Sequence, residues 1–305
     1  MALVNGSPSV ILKNVAELIK KKVPQNTASL VEQFATLLYS NISSLDLSDR
    51  NDSDMYGATL SLWSTLNEHT DDKPIIHVFN PSVSKNGWKS SHTIIEVIVK
   101  DMPFLVDSIR IALNRLGLSP HLMLNSPLKL VRGNNNDIIE LASNVDTDIK
   151  ATSEETIFFI EIDRQSTQAE LETIKTELLS VVKDIMLTVN DWAPMLKQFK
   201  QVIENTKKAK LPGSKKSKED TLEFLSWLAN NHFTLMGYRS YDVKAVKGDI
   251  ELEADMNSSL GLMKNSNDTN IRLLSSLNES GREVALGENH LILTKSNSRS
   301  RVHRP

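Results

Sequence analysis

Asp101, Pro103, Phe104, Asp107 and Ser108 crowd the junction "VKDMPFLVDSI", where an apolar run gives way to a helical pattern. These residue types could hold a small zwitterion. Asp101 would take an ammonium group, Ser108 would donate to a carboxylate, and Phe104 would wall the pocket. The exposed N–H groups of a helix start attract an anion. The same residues also have a purely local explanation. Proline suits the first helical turn because its missing N–H would be unpaired there, and Asp101 could act as an N-cap. Both readings require a helix to begin at this point.

The flanking pattern supplies that helix. Ile94 to Val99 is apolar at nearly every position, as in a strand covered on both faces. After the junction, Leu105, Ile109, Ala112, Leu113 and Leu116 form one helical stripe, and Gly117 stands where a left-handed C-cap costs least. Extended segments follow at Pro120 to Val131 and Ile138 to Leu141, joined by the turn "RGNNND". "TIFFIEIDR" (Thr156 to Arg164) is another strand. Thr167 to Glu170 spells a capping box before a long helix carrying Leu171, Ile174, Leu178, Val181, Val182 and Ile185. Strand, helix, strand, strand, helix is the split order of a ferredoxin-like α/β sandwich. No strand follows the helix near Thr188, so the earlier strand "PIIHVFN" is expected to take the vacant sheet edge.

The chain is α+β, with expected divisions at 1–72, 73–190, 191–218 and 219–305. The first is helical, with stripes Ile11, Val15, Leu18, Ile19 and Leu30, Phe34, Leu37, Leu38. A third stripe, Tyr56, Leu60, Trp63, Leu66, follows Asp54 as N-cap, and "NISSLDLSDRNDSD" is a loop. The second division is the sandwich. The third holds a helix from Met195 to Lys208 and the basic linker "KKAKLPGSKKSKED". The fourth opens with a cap at Ser217 to Asp220 and a helix with Leu222, Leu225, Trp227 and Leu228 on its apolar side. Strands "HFTLMGYRSYDV", with Gly237 as a possible bulge, "DIELEAD" and "NHLILTKS" are expected to begin a second α/β domain, in which Pro305 would be a cut within a longer polypeptide.

Composition excludes much. With 35 basic and 38 acidic residues in 305, a formal charge of −3 offers no field for nucleic acid or an anionic membrane. No apolar run reaches the roughly 20 residues of a membrane helix, and the first residues lack the charge and apolar stretch of a signal peptide, so the cytoplasm is the expected location. Absence of cysteine removes thiol nucleophiles, disulfides and Cys-ligated metal. His77, His92, His121, His232, His290 and His303 show no metal-ligand spacing, so no metal is expected. None of the 11 glycines forms a G-x-G pair, so neither a dinucleotide fingerprint nor a P-loop is present. Phe158 and Phe159 could suggest an RNA-stacking sheet, but adjacent strand residues point to opposite faces.

The junction resembles the strand-to-helix loop of ACT domains, regulatory modules of ferredoxin-like fold that often bind amino acids and pair through their sheets. The ACT pattern usually has glycine after the proline, where this chain has Phe104. "DMYGATLSLW", the stretch from His77 to Leu118, "FLSWLANNHFTLMGYRSYDV" and "LILTKSNSRSRVHRP" are together similar to successive landmarks of the large bacterial NAD-specific glutamate dehydrogenases. That resemblance implies an N-terminal regulatory and oligomerisation region with a second, ACT- or PAS-like domain. It implies a parent enzyme that converts glutamate and NAD to 2-oxoglutarate, ammonium and NADH. Catalytic and NAD-binding residues would lie further along that polypeptide. Expected partners are the downstream catalytic region, further copies of the chain and an amino-acid effector. The other reading is a structural scaffold that pairs subunits and binds no small molecule.

Overall fold

The computed structural model describes residues 10–40, 42, 50–68, 73–146, 148–208, 214–246, 249–265 and 271–276, together with 278, 279, 282 and 293. The chain divides into two units, Met1–Val182 and Lys183–Pro305. The expected strand "NHLILTKS" apart from Leu293, the segment "SNSRSRVHRP", most of the 41–54 loop and the middle of the basic linker lie outside the described residues.

A run of seven buried residues, Thr93 to Val99, makes β2 (Thr93–Lys100) a central strand. In the first unit five strands form one antiparallel sheet, ordered β1-β2-β5-β3-β4. The others are β1 (Ile75–Phe79), β3 (Pro120–Arg132), β4 (Ile138–Ser143) and β5 (Ser153–Ile162). β1 fills the edge beside β2, with Ile76 opposite Val97, as the sequence pattern requires. β4 widens the other edge through the tight turn after Arg132, where Asn136 takes φ 64° and Gly133 N–H bonds Asp137 O at 2.8 Å. The α+β, ferredoxin-like reading holds.

Alternate residues of these strands face two layers of helix. One face carries Ile94, Ile98, Leu128, Leu130, Leu141, Ile157 and Phe159 in a common core with α1 (Val10–Lys22), α2 (Gln25–Leu38) and α3 (Asp52–Glu68). The N-terminal helices thus share a core with the sheet. α3 is rotated from its expected stripe: Met55, Ala58, Leu62 and Leu66 are buried, while Tyr56, Leu60 and Trp63 are only half-buried. Small and hydroxylic residues let α3 approach the sheet. Its larger rings pack at the flanks, Trp63 on Phe34 at 5.4 Å and Tyr56 beneath the Lys22 ammonium. The cap is Asn51, whose Oδ1 accepts from Ser53 N–H at 2.8 Å. Asp54 instead accepts from Lys89 N–H.

This face also buries three glutamates. Glu96, 1% exposed, accepts from Ser61 and Thr65, each at 2.7 Å, and lies 3.8 Å from His77 Nδ1. The Glu96 carboxylate holds the His77 pKa above its ordinary 6.5, against the opposing pull of burial. A raised folded-state pKa stabilises fully below the unfolded value, and that contribution disappears as pH rises through the folded pKa. Urea midpoints should therefore fall on going from acid toward alkaline pH across the range starting near 6.5, and His77→Gln should remove that component. An unchanged slope in the variant would refute the assignment.

The second face shows Ile95, Val97, Val99, Phe158, Ile160 and Ile162, all but fully buried. Phe158 and Phe159 thus occupy opposite faces and offer no stacking surface. Cover comes from the stripes of α5 (Leu105–Arg115), namely Leu105, Ile109, Ala112 and Leu113, and of α6 (Gln168–Asn190), namely Leu171, Ile174, Leu178, Val181 and Val182. A four-residue helix, α4 (Val83–Asn86), links β1 to β2 and ends on Gly87 at φ 75°. Gly117 ends α5 at φ 75° as expected, with Leu118 N–H returning to Leu113 O at 3.0 Å. The capping box forms: Glu170 Oε2 accepts from Thr167 N–H at 2.9 Å and Thr167 Oγ1 accepts from Glu170 N–H, and the bonds that the carboxylate accepts from Thr167 lower the Glu170 pKa.

In the second unit α7 (Trp192–Lys208) and α8 (Lys215–Trp227) pack through Phe199, Ile203 and Leu225, joined by Leu228 just beyond α8. α8 starts earlier than expected, because Ser214 Oγ caps it by accepting from Ser217 N–H at 3.1 Å. Trp227 leaves the apolar side. It stacks at 4.6 Å on His232 across a π-helical turn, Leu228–His232, and is 48% exposed. A second sheet, β6-β7-β8, comprises Gly237–Val246, Asp249–Gly261 and Ile271–Leu273. Its irregularity falls between Tyr238 and Ser240 rather than at Gly237, which pairs with Gly261. β8 carries no turn or period signal and was not expected. Asp191, between α6 and α7, accepts from Gly261 N–H at 2.7 Å and pairs with Lys264 at 2.6 Å. Burial works against its charge, but these donors hold its pKa below the usual carboxylate value.

No helix among the described residues is long and apolar enough to cross a membrane.

Candidate functional site

The five residues at the β2–α5 junction do not cap the helix in the expected way. Pro103 sits in a turn before it, and the N-cap is Phe104, which adopts φ 74°, ψ −4° and provides no side-chain cap. Asp101 lies three residues upstream of the cap. Its N–H donates to Glu154 O at 2.8 Å, continuing the β2–β5 ladder, and its carboxylate accepts from Thr156 Oγ1 at 2.5 Å. The carboxylate thus bridges a strand neighbour. The dense run of apolar residues through Val99 carries the ladder two residues further than the sequence break suggests.

Beside this junction is a cavity of about 280 Å³ lined by the loop from Asp101 to Phe104, the first turn of α5 to Asp107, Asn125 and Pro127 of β3, and Thr156 of β5. Asp101, Pro103, Phe104 and Asp107 all line it. Ser108 does not line the cavity. It is fully buried on the packed side of α5, since residues 107 and 108 are about 100° apart around a helix. Asn125, Pro127 and Thr156 were missed, because only sheet pairing brings positions 125–127 and 156 together, with Pro127 opposite Thr156. Pro127 is tolerated because β4 pairs with β3 only from Leu128 onward, so its absent N–H leaves no ladder bond open.

The lining combines Asp101, Asp107, the Asn125 amide and the Thr156 hydroxyl with Met102, Pro103, Phe104, Leu105 and Val106. It includes no lysine, arginine, histidine or cysteine. Of the polar groups present, the Thr156 hydroxyl is already engaged by the Asp101 carboxylate. Its volume lies just below the roughly 300–1,000 Å³ of ordinary small-ligand sites, suiting a molecule of amino-acid size. The acceptors favour a cationic group, and the first turn of α5 offers backbone donors to a weakly anionic one. Among the described residues no three His, Asp or Glu side chains converge as metal ligands.

Phe104 is one of two non-glycine residues at positive φ among those described. A bulky residue there carries strain of about 1 kcal/mol relative to glycine. Phe104→Gly should therefore be near neutral or mildly stabilising despite the loss of a half-buried ring, whereas Phe104→Val should cost more than about 1 kcal/mol. Urea unfolding of both variants checks this, and a strongly destabilised glycine variant would show that the ring's packing outweighs the backbone cost.

Residues 34–178 match the family model described as the ACT1 domain of glutamate dehydrogenase. The chain is 34% identical over 299 residues to the NAD-specific glutamate dehydrogenase of Halomonas elongata, covering 97% of this chain and 18% of that protein. To the NAD-specific glutamate dehydrogenase of Pseudomonas aeruginosa it is 34% identical over 244 residues, covering 80% of this chain and 15% of that protein. The chain thus spans less than a fifth of the length of these curated relatives.

Proposed function

On the premise that residues 34–178 belong to the glutamate dehydrogenase ACT1 family, we propose that this chain is the N-terminal regulatory and oligomerisation region of an NAD-dependent glutamate dehydrogenase. The parent polypeptide oxidises glutamate to 2-oxoglutarate and ammonium with NAD, in the cytoplasm, and its catalytic residues and NAD site lie outside these 305 residues. The chain signals to that downstream catalytic region, self-associates and carries no metal. The observation supporting a regulatory role is the cavity at the β2–α5 junction, whose lining sets two carboxylates, an amide and a hydroxyl against an apolar wall.

The effector in this reading is an amino acid whose ammonium group meets Asp101 or Asp107. Isothermal calorimetry with a panel of amino acids tests it on the wild type, Asp101→Ala and Asp107→Ala. Binding should raise unfolding stability by about 2.7 kcal/mol at a hundredfold excess over Kd, and weaken in the variants. Silence from all three proteins would retire the cavity as an effector site. A structural scaffold without ligand is the second reading, favoured by the Thr156 hydroxyl already occupying Asp101. It predicts that silence, together with subunits that separate when edge residues of β1 are made charged.

A further inference from the structure

Where α8 ends, three rings stand in file on the surface of the second unit. Phe224 and Trp227 have centroids 6.2 Å apart and planes 17° from parallel, and Trp227 and His232 lie 4.6 Å apart at 20°. Phe224 is 54% exposed, Trp227 48%, and His232 is exposed too. In a regular α-helix residues five apart diverge by about 140°. The wider π turn at Leu228–His232 brings His232 back onto Trp227, with Nδ1 donating to Trp227 O at 2.9 Å. Such turns are frequent at functional sites. At 6.2 Å the Phe224 and Trp227 rings are offset, so part of each face stays open to a cation or another planar group.

Neighbouring charges select the cation. Asp220 and Glu223 stand one turn before Phe224 and Trp227 on the same exposed face. Among the described residues neither carboxylate has an ion pair or hydrogen bond. Of the lysines at the start of α8, Lys215 pairs with Glu219, Lys218 donates to Lys207 O, and Lys216 is two turns from Phe224. The chain itself supplies a matching partner. After Glu288 it has no acidic residue, and "KSNSRSRVHRP" carries Lys295, Arg299, Arg301 and Arg304. A guanidinium stacks on an aromatic face while donating to a carboxylate. Extended backbone would set Arg299 and Arg301 on one side about 6.6 Å apart, close to the spacing of the two rings. The chain from Ser276 to Arg299 can span about 75 Å, far beyond the roughly 14 Å radius of gyration of a folded unit this size. We propose that segment 295–305 docks on this ladder, Arg299 and Arg301 stacking on Phe224 and Trp227 and bonding Asp220 and Glu223. This clasp is separate from the effector cavity and does not depend on it.

Limited trypsin digestion of the 305-residue chain, followed by mass spectrometry, tests the clasp. Cuts after Arg299 and Arg301 are normalised to the cut after Arg282 in the same molecule, which cancels any general loosening. In Asp220→Asn combined with Glu223→Gln they should run roughly threefold faster than in the wild type, the effect of losing an exposed ion pair. Trp227→Leu, which removes a cation–π face, should speed them by a similar factor. If Trp227→Leu does not fold, Phe224→Leu, at the more exposed ring, takes its place. Unchanged rates in the folded variants would overturn the proposal. So would protection that rises with protein concentration, which would assign the arginines to a second copy of the chain.

Discussion

Arg132→Ala should lower unfolding stability by about 3–5 kcal/mol, the usual cost of stranding one member of a buried ion pair. Glu155 is 2% exposed in the sheet interior, and the Arg132 side chain is 10% exposed. Nε and Nη2 of Arg132 both reach the Glu155 carboxylate at 3.0–3.1 Å, while Nη2 also donates to Leu66 O at the end of α3 and Nη1 to Asn136 O in the β3–β4 turn. One guanidinium therefore ties a strand, a turn and a helix end. Arg132→Lys should recover only part of the loss, because a point charge cannot serve those acceptors together. Arg132→Met combined with Glu155→Leu should return to within about 2 kcal/mol of wild type, since no charge remains buried. Urea midpoints of the three variants decide the matter. A loss below about 1 kcal/mol in Arg132→Ala would mean that water or another cation reaches Glu155.

Residues like these mark the border of what the sequence discloses. β2, α5 and β5 were legible because apolar residues repeat at strand and helix periods over whole elements, and Gly117 and the Thr167–Glu170 box announce helix ends by local chemistry alone. Even the edge position of β1 followed from counting elements. "IIEVIV" and "ETIFFIEI" did carry a signal, since an acid inside an apolar strand must find a partner when it is buried. What they could not disclose was the partner. Glu96 meets Ser61 and Thr65, Glu155 meets Arg132, and Glu161 meets Arg50 across 111 positions. All three glutamates lie on the face that receives the N-terminal helices, where each fixes one position at which helix or loop must dock. Likewise the junction loop was recognisable as a ligand-sized feature, but Asn125, Pro127 and Thr156 join it only through strand register. The exchange of cap between Asp101 and Phe104 depended on how far the β2–β5 ladder runs, which propensity does not encode.

Gly57→Ala should destabilise the protein by about 1–3 kcal/mol although alanine is the better helix former by about 1 kcal/mol. Gly57 lies inside α3 with no turn to make, so its backbone freedom is not the reason for it. A Cβ built there would stand 2.4 Å from Trp88 Cβ, 2.6 Å from Cγ and 2.8 Å from Cδ1. The first two atoms sit at the root of the side chain and can yield only by moving the backbone before β2. Trp88 has little room, being 3% exposed and edge-on to Phe79 at 6.3 Å, its Nε1 buried with no hydrogen-bond partner among the described residues. The indole is thus held by shape alone, and the glycine is the space it needs. A double-mutant cycle separates this from a general intolerance of α3. Trp88→Ala alone should cost about 3–5 kcal/mol through the void it leaves. Adding Gly57→Ala to that background should become neutral or stabilising, because the clash is gone and the propensity gain remains. If alanine at position 57 costs the same with and without the indole, contact with Trp88 is not what excludes a side chain there.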